Sequence, residues 1–240
     1  MPNPQEHVLT TAALGARVGY STQQVRDLER LGVLPVAHRG SNGYRQYGAR
    51  HETALRAYRA MAAAIGPVPA RRLMPDLIRG SVESAAERID LLHADLADER
   101  ARVREALRGL DVAVAEADDV FADADAMTIG ELSQALGIRP SALRHWEREG
   151  LVHPARRAAS VRSYGAVALT EARIVAALRA GGYGIPAISR ILDQVRTHAD
   201  ADEVEGILTQ RLADLTRRSV ALLGAAGHLH EMLAASSATA

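Results

Sequence analysis

The 240 residues contain no cysteine, which excludes disulfides, thiolate metal sites, iron–sulfur clusters and cysteine nucleophiles at the outset. Lysine is absent as well, so all 29 basic side chains are arginines. Aromatic residues amount to only 3 %, which favours helices packed through small residues over a sheet-rich core or an aromatic ligand cage. No run approaches the ~20 apolar residues that a spanning helix needs. The opening Met1-Pro-Asn-Pro-Gln-Glu-His7 lacks a charged segment followed by an apolar one. These absences predict a cytoplasmic protein of one or two domains with no membrane partner.

What is present is an uneven distribution of charge. Residues 1–80 hold 11 arginines and 5 acids, and residues 81–126 hold 5 arginines and 13 acids. Residues 127–198 return to 10 arginines and 5 acids, and the remainder holds 3 arginines and 6 acids. The chain runs basic, acidic, basic, acidic.

That alternation follows an internal repeat. Shifting the chain by 118 residues pairs identical residues at Thr10/Thr128, Leu14/Leu132, Gly19/Gly137, Arg26/Arg144, Glu29/Glu147, Arg30/Arg148 and Gly32/Gly150. After one gap the shift is 117, pairing Arg39/Arg156, Arg45/Arg162, Tyr47/Tyr164, Gly48/Gly165, Arg56/Arg173 and Pro69/Pro186. Matches at Gly, Arg, Tyr and Pro are not the interchangeable apolar kind, so the sequence reads as a tandem duplication.

Helix punctuation is legible in both repeats. Thr128-Ile-Gly-Glu131 has the form of a capping box, Gly137 ends that helix, Pro140 opens a second and Gly150 stops it. The first repeat has Thr10, Gly19, a Ser21-x-x-Gln24 capping box and Gly32 in the same places. Two short helices joined by a glycine turn predict a helix-turn-helix, with Val25, Leu28, Leu143 and Trp146 on the core side. Between Val33 and Tyr47, Asn42-Gly43 signals a hairpin turn and hence a two-stranded wing. The second wing lacks the turn glycine. Two more helices follow in each repeat, at about 48–64 and 69–79, then 166–180 and 186–197.

The acidic blocks carry heptad seams: Ile89, Leu96, Val103 and Leu110 with Leu92, Ala106 and Ala113 between, then Leu208, Leu215, Leu222 and Leu229 with Leu212, Ala226 and Leu233 between. The predicted fold class is therefore all-α with small β wings. Its parts are a first winged helix-turn-helix over 1–80, a long coiled-coil helix over 81–117, a linker over 118–126, a second winged domain over 127–198, and a second coiled-coil helix with its tail over 199–240. A helix of about 35 residues spans roughly 50 Å, comparable with the ~34 Å between successive major grooves.

A helix-turn-helix lays its second helix in the major groove while neighbouring Arg, Tyr and Ser groups hold phosphates. The candidates in the first repeat are Gln23, Gln24, Arg26, Asp27 and Arg30, and in the second Ser141, Arg144, His145 and Arg148. Gln suits adenine and Arg suits guanine. On the wings, Arg39, Arg45, Arg156 and Arg162 are expected to meet the DNA backbone through paired guanidinium bonds, with Tyr47 and Tyr164 donating hydroxyls to the same strand.

Thr128-Ile-Gly-Glu-Leu132, Leu143-Arg-His-Trp-Glu-Arg-Glu-Gly-Leu151 and Gly43-Tyr-Arg-Gln-Tyr47 resemble the helix-turn-helix and wing patterns of the MerR family of bacterial transcription regulators. The resemblance covers about 8–79 and 127–197. It implies a long dimerising helix, binding of double-stranded promoter DNA at a pseudo-palindromic site, and distortion of an overlong promoter spacer so that RNA polymerase engages. It also implies a nucleoid-associated place in the cell. Members pair as antiparallel homodimers; here both halves lie in one chain, so an intrachain pseudo-dimer acting as a monomer is expected, with a homodimer as the alternative. The family has an aromatic pair after the recognition-helix arginine, which His145-Trp146 half satisfies and Asp27-Leu28 does not. A carboxylate facing DNA repels phosphate unless it accepts from a cytosine amino group, so the first repeat is expected to bind more weakly or to read a different half-site.

The family's signal-binding part lies beyond the long helix, and the chain stops at Ala240, so no effector domain is expected. No metal or cofactor is expected either: His228 and His230 lack further ligands, and Gly181-Gly-Tyr-Gly184 follows no strand and precedes no lysine. No cluster of nucleophile, base and orienting group predicts an enzyme. Two other readings stay open, a protein that sequesters a small apolar effector such as an antibiotic, and an architectural or recombination-accessory DNA binder.

Overall fold

The computed structural model describes residues 8–117, 126–156, 162–198 and 201–237. Among these residues the regular structure is helical apart from two small antiparallel sheets of two strands each. It divides into two compact units, the first formed by residues 1–96 together with 215–240 and the second by residues 97–214.

In the first unit, α1 (Thr11–Val18) is capped by the Thr10 hydroxyl, which accepts from the Ala13 N–H at 3.2 Å, and ends at Gly19 with φ 83°. Helix α2 (Thr22–Arg30) opens on the predicted capping box: the Gln24 N–H donates to Ser21 Oγ at 3.2 Å and the Ser21 N–H donates to Gln24 Oε1 at 2.8 Å. The turn between them depends on Gly15, because a Cβ there would lie 2.3 Å from the Tyr20 carbonyl oxygen. Strands β1 (His38–Arg39) and β2 (Arg45–Gln46) form the wing, with Arg39 opposite Arg45 and Leu9 bridging to Tyr47. The Asn42-Gly43 signal marks its tip, where the Gly43 N–H donates to the Gly40 carbonyl at 2.9 Å and Gly43 takes φ 78°. Helices α3 (Ala49–Ile65) and α4 (Pro67–Arg79) pack beneath. Leu14, Val25, Leu55, Met61 and Met74 are fully buried, each contributing about 1.5–3 kcal/mol by leaving water.

The second unit repeats the order: α6 (Ile129–Ala135), α7 (Pro140–Arg148), β3 (Ala155–Arg156), β4 (Arg162–Ser163), α8 (Ala166–Ala180) and α9 (Ile185–His198). The Thr128–Glu131 capping box forms, Arg156 stands opposite Arg162, and Met127 bridges to Tyr164. Trp146 is buried among the core residues, as its spacing predicts. Most of the expected linker, and residues 157–161 of the second wing, lie outside the described residues.

The acidic blocks are the long helices α5 (Val82–Ala117) and α10 (Ala201–Ser237). Of the predicted heptad positions, Leu96, Val103, Ala106, Leu110, Leu208, Leu215, Leu222 and Leu229 are buried, while Ile89, Leu92 and Leu212 are only half-buried. Toward the end of α10 the seam takes a different neighbour: Ala225 and Met232 are buried, not Ala226 and Leu233. A 3.6-residue helix satisfies a seven-residue repeat by either a 3–4 or a 4–3 step, and the packing selects the first. The Ala113 position lies among side chains outside the described ones.

Each unit closes on a long helix through small residues. In the first, the Arg218 side chain of α10 donates to the Ala64 carbonyl of α3 at 2.8 Å, and a Cβ on Gly224 would lie 3.9 Å from Ala60. In the second, a Cβ on Gly109 of α5 would lie 2.7 Å from Ala177 of α8, and one on Gly181 would lie 2.7 Å from Ala106. Arg211 of α10 pairs with Glu99 of α5 within that unit.

Candidate nucleic-acid interface

The second helix of the helix-turn-helix, α2, buries Val25 and Leu28 and exposes Gln23, Gln24, Arg26 and Arg30, with Asp27 half-exposed between them. On α7, Leu143 and Trp146 are buried while Ser141, Arg144 and Arg148 are exposed and His145 is half-exposed. Helical spacing thus places the predicted base-reading candidates opposite the core in both units. Gln24 has a competing task, since its amide oxygen is occupied by the Ser21 N–H of the capping box.

The wing arginines divide into two kinds. Arg39 is exposed, its guanidinium donating across the hairpin to the Gly43 carbonyl at 3.3 Å. The Arg45 Nε donates to Glu29 Oε2 at 2.8 Å, and the side chain keeps 36 % of its surface open. Arg162 mirrors it, donating to Glu147 Oε2 at 2.9 Å with 48 % open. One edge of each fork is held by a carboxylate while the rest faces water, a geometry that presents donors for a phosphate. The Arg156 backbone lies in β3, but its side chain is outside the described ones.

The two tyrosines stand elsewhere than the strand-facing role assigned to them. Tyr47 and Tyr164 are fully buried, and their hydroxyls donate to Glu29, at 3.0 Å, and to Glu147. Burial raises both phenols above their ordinary range, and the neighbouring carboxylates add to the rise, so both remain donors. Sequence reasoning missed Glu29 and Glu147 as site residues. Each lies on the second helix of its helix-turn-helix, nearly buried, and joins that helix to the wing through an arginine and a tyrosine. In the first unit Glu29 also accepts the Ala37 N–H at 3.2 Å. The available signal was their identity in both repeats inside otherwise basic segments.

His51 at the start of α3 braces the same wing. Its Nδ1 accepts the Gly48 N–H at 3.1 Å, its ring packs edge-on against Tyr47 at 5.3 Å between centroids, and Nε2 stands 3.4 Å from the Val36 carbonyl. Burial lowers its pKa below the usual histidine value, and an Nδ1 that accepts requires the neutral ring. The unfolded chain therefore takes up this proton first as pH falls, so the contribution of His51 to stability is full above the ordinary histidine range, about 6.5, and declines below it. Thermal unfolding followed between pH 7.5 and 5.5 should show a larger loss for the wild type than for His51→Gln, whose amide oxygen can still accept from Gly48. Equal slopes would remove the neutral assignment.

A helix-turn-helix followed by an arginine-bearing hairpin and a long helix defines a winged DNA-binding module. Residues 127–195 match the family described as MerR HTH family regulatory protein. The chain is 31 % identical over 98 residues to the HTH-type transcriptional regulator HmrR of Sinorhizobium medicae (strain WSM419), covering 40 % of this chain and 67 % of that one. It is 31 % identical over 113 residues to heavy metal-dependent transcription regulator 2 of Rhizobium meliloti (strain 1021), covering 43 % of this chain and 77 % of that one. No solved structure matches. The chain belongs to the MerR family of helix-turn-helix transcription regulators. No helix among the described residues is long and apolar enough to cross a membrane.

Proposed function

We propose that this chain is a sequence-specific regulator that arose by tandem duplication and binds a pseudo-palindromic promoter site as a single-chain pseudo-dimer, distorting the DNA so that RNA polymerase engages. The observation that carries the reading is the repeated clamp: Glu29 with Arg45 and Tyr47, and Glu147 with Arg162 and Tyr164, in hairpins of identical register. Two separate clamps of the same build support two DNA-holding wings per chain. The division of the chain supports the pseudo-dimer. The first unit includes the far half of α10 and the second the far half of α5, the exchange that two chains make in a family homodimer. Domains over 1–80 and 127–198, each followed by its coiled-coil helix (81–117 and 199–240), with the 118–126 linker joining the first helix to the second domain, belong to the same proposal.

In this reading Gln23, Arg26, Asp27 and Arg30 on α2, and Ser141, Arg144, His145 and Arg148 on α7, face the major groove. Arg39, Arg45, Arg156 and Arg162 hold phosphates, Gln24 caps α2, and Tyr47 and Tyr164 position the wings. The heavy-metal response named for one relative requires other ligands here, because the 240 residues include no thiol.

Titrating a fluorescent promoter fragment at increasing salt tests the proposal. Affinity should fall steeply with salt, and Arg162→Ala should weaken all sequences alike while lowering the slope of log affinity against log salt by about 1. Footprints confined to a promoter spacer support regulation, scattered footprints support an architectural role, and an absence of footprints overturns DNA binding.

A further inference from the structure

The two reading helices differ most at one pair of equivalent positions, Asp27 on α2 and His145 on α7. Asp27 is not a loose surface charge. Its Oδ1 accepts from Gln23 Nε2 at 3.1 Å and from the Arg30 guanidinium at 2.7 Å, with all three side chains on the exposed side of α2. The ion pair with Arg30 offsets the repulsion between this carboxylate and a phosphate backbone. Both bonds fall on Oδ1, leaving Oδ2 as an acceptor. The Gln23 amide spends one N–H on Asp27 and keeps its oxygen and second N–H.

An acceptor-only carboxylate in the major groove has one good base partner, the N4 amino group of cytosine, whereas Arg and His donors suit guanine N7 and O6. On α7 the equivalent positions hold Ser141, His145 and Arg148, and the acidic neighbour, Glu149, lies just past the helix with Oε1 3.6 Å from His145 Nδ1. That surface offers donors where α2 offers an oriented acceptor.

We propose that Asp27, fixed between Gln23 and Arg30, is a specificity-determining residue that makes α2 select a cytosine, so that the two halves of the DNA site carry different bases at equivalent places. This rests on the DNA-binding reading above. Gln23, one helical turn before Asp27, is free to take an adenine neighbouring that cytosine through its remaining amide edge. The site is then directional, and the first unit always occupies the same half.

The full chain should be used to select bound duplexes from a random library, and the winners ranked by competition in fluorescence anisotropy. The wild type should enrich a site with two unlike halves, one bearing a cytosine at a fixed place. Asp27→Asn and Asp27→Ala should lose about tenfold of the preference for that cytosine while the other half keeps its sequence. Because residue 27 faces solvent, both variants should retain wild-type helicity by circular dichroism. Two identical halves, or an undiminished cytosine preference in both variants, would overturn this inference and leave DNA binding standing. No enriched sequence at all would bring down both.

Discussion

Glu29→Ala should destabilise the first unit by about 3 kcal/mol and detach its wing from α2, because removing one partner of a nearly buried ion pair strands the others. The change deprives the Arg45 guanidinium, the buried Tyr47 hydroxyl and the Ala37 N–H of their acceptor together. Arg45 is 36 % open to water and recovers part of its solvation, which sets the figure at the low end of the range for broken buried pairs. Tyr47 is fully buried and keeps only the Thr11 side chain beside its hydroxyl. Urea denaturation followed by circular dichroism reads the loss directly, and Glu147→Ala provides the same comparison for the second unit. The double substitution Glu29→Ala with Tyr47→Phe should cost less than the two singles combined, since the phenylalanine removes the orphaned hydroxyl. A cost for Glu29→Ala within about 0.5 kcal/mol of zero, the range of an ordinary surface change, would mean the carboxylate does not hold the wing.

The clamp also shows where reading the sequence stops. Short-range signals carried through: the boxes at Ser21 and Thr128, the ends at Gly19 and Gly137, and the Asn42-Gly43 tip all report on residues within a few positions of each other, and all form. Core and exposed faces of α2 and α7 followed from helical spacing. Tyr47 and Tyr164 went to the wrong neighbour because their acceptors lie 18 and 17 residues upstream on another element, and no local pattern states that a tyrosine in a basic hairpin turns inward. Gln24 fitted two patterns at once, a cap and a base reader, and only the geometry shows the cap occupied. The network around Asp27 is local, at i−4 and i+3, yet its role depends on which atom each donor reaches.

Leu222→Asp and Leu223→Asp should part company despite being adjacent. Leu222 is fully buried in the first unit, whereas Leu223 is 62 % exposed. An aspartate at 222 either places a carboxylate in an apolar seam or forces the far half of α10 away. The lost side-chain burial alone is worth about 2–5 kcal/mol, before the charge is counted. At 223 the same residue meets water and should shift stability by no more than about 0.5 kcal/mol. The consequence reaches the reading surface, because α10 is tied to α3 through the Arg218 bond to the Ala64 carbonyl and the close approach of Gly224 to Ala60, and α3 is braced to the wing by His51. Leu222→Asp should therefore lower both the urea midpoint and DNA affinity, while Leu223→Asp leaves both near wild type. Equal behaviour of the two variants would show that the seam does not run through Leu222 and Leu229 and that the heptad reading of α10 is in error. If Leu222→Asp unfolds the first unit but affinity persists, the second unit alone suffices for binding, and the pseudo-dimer gives way to a single gripping domain.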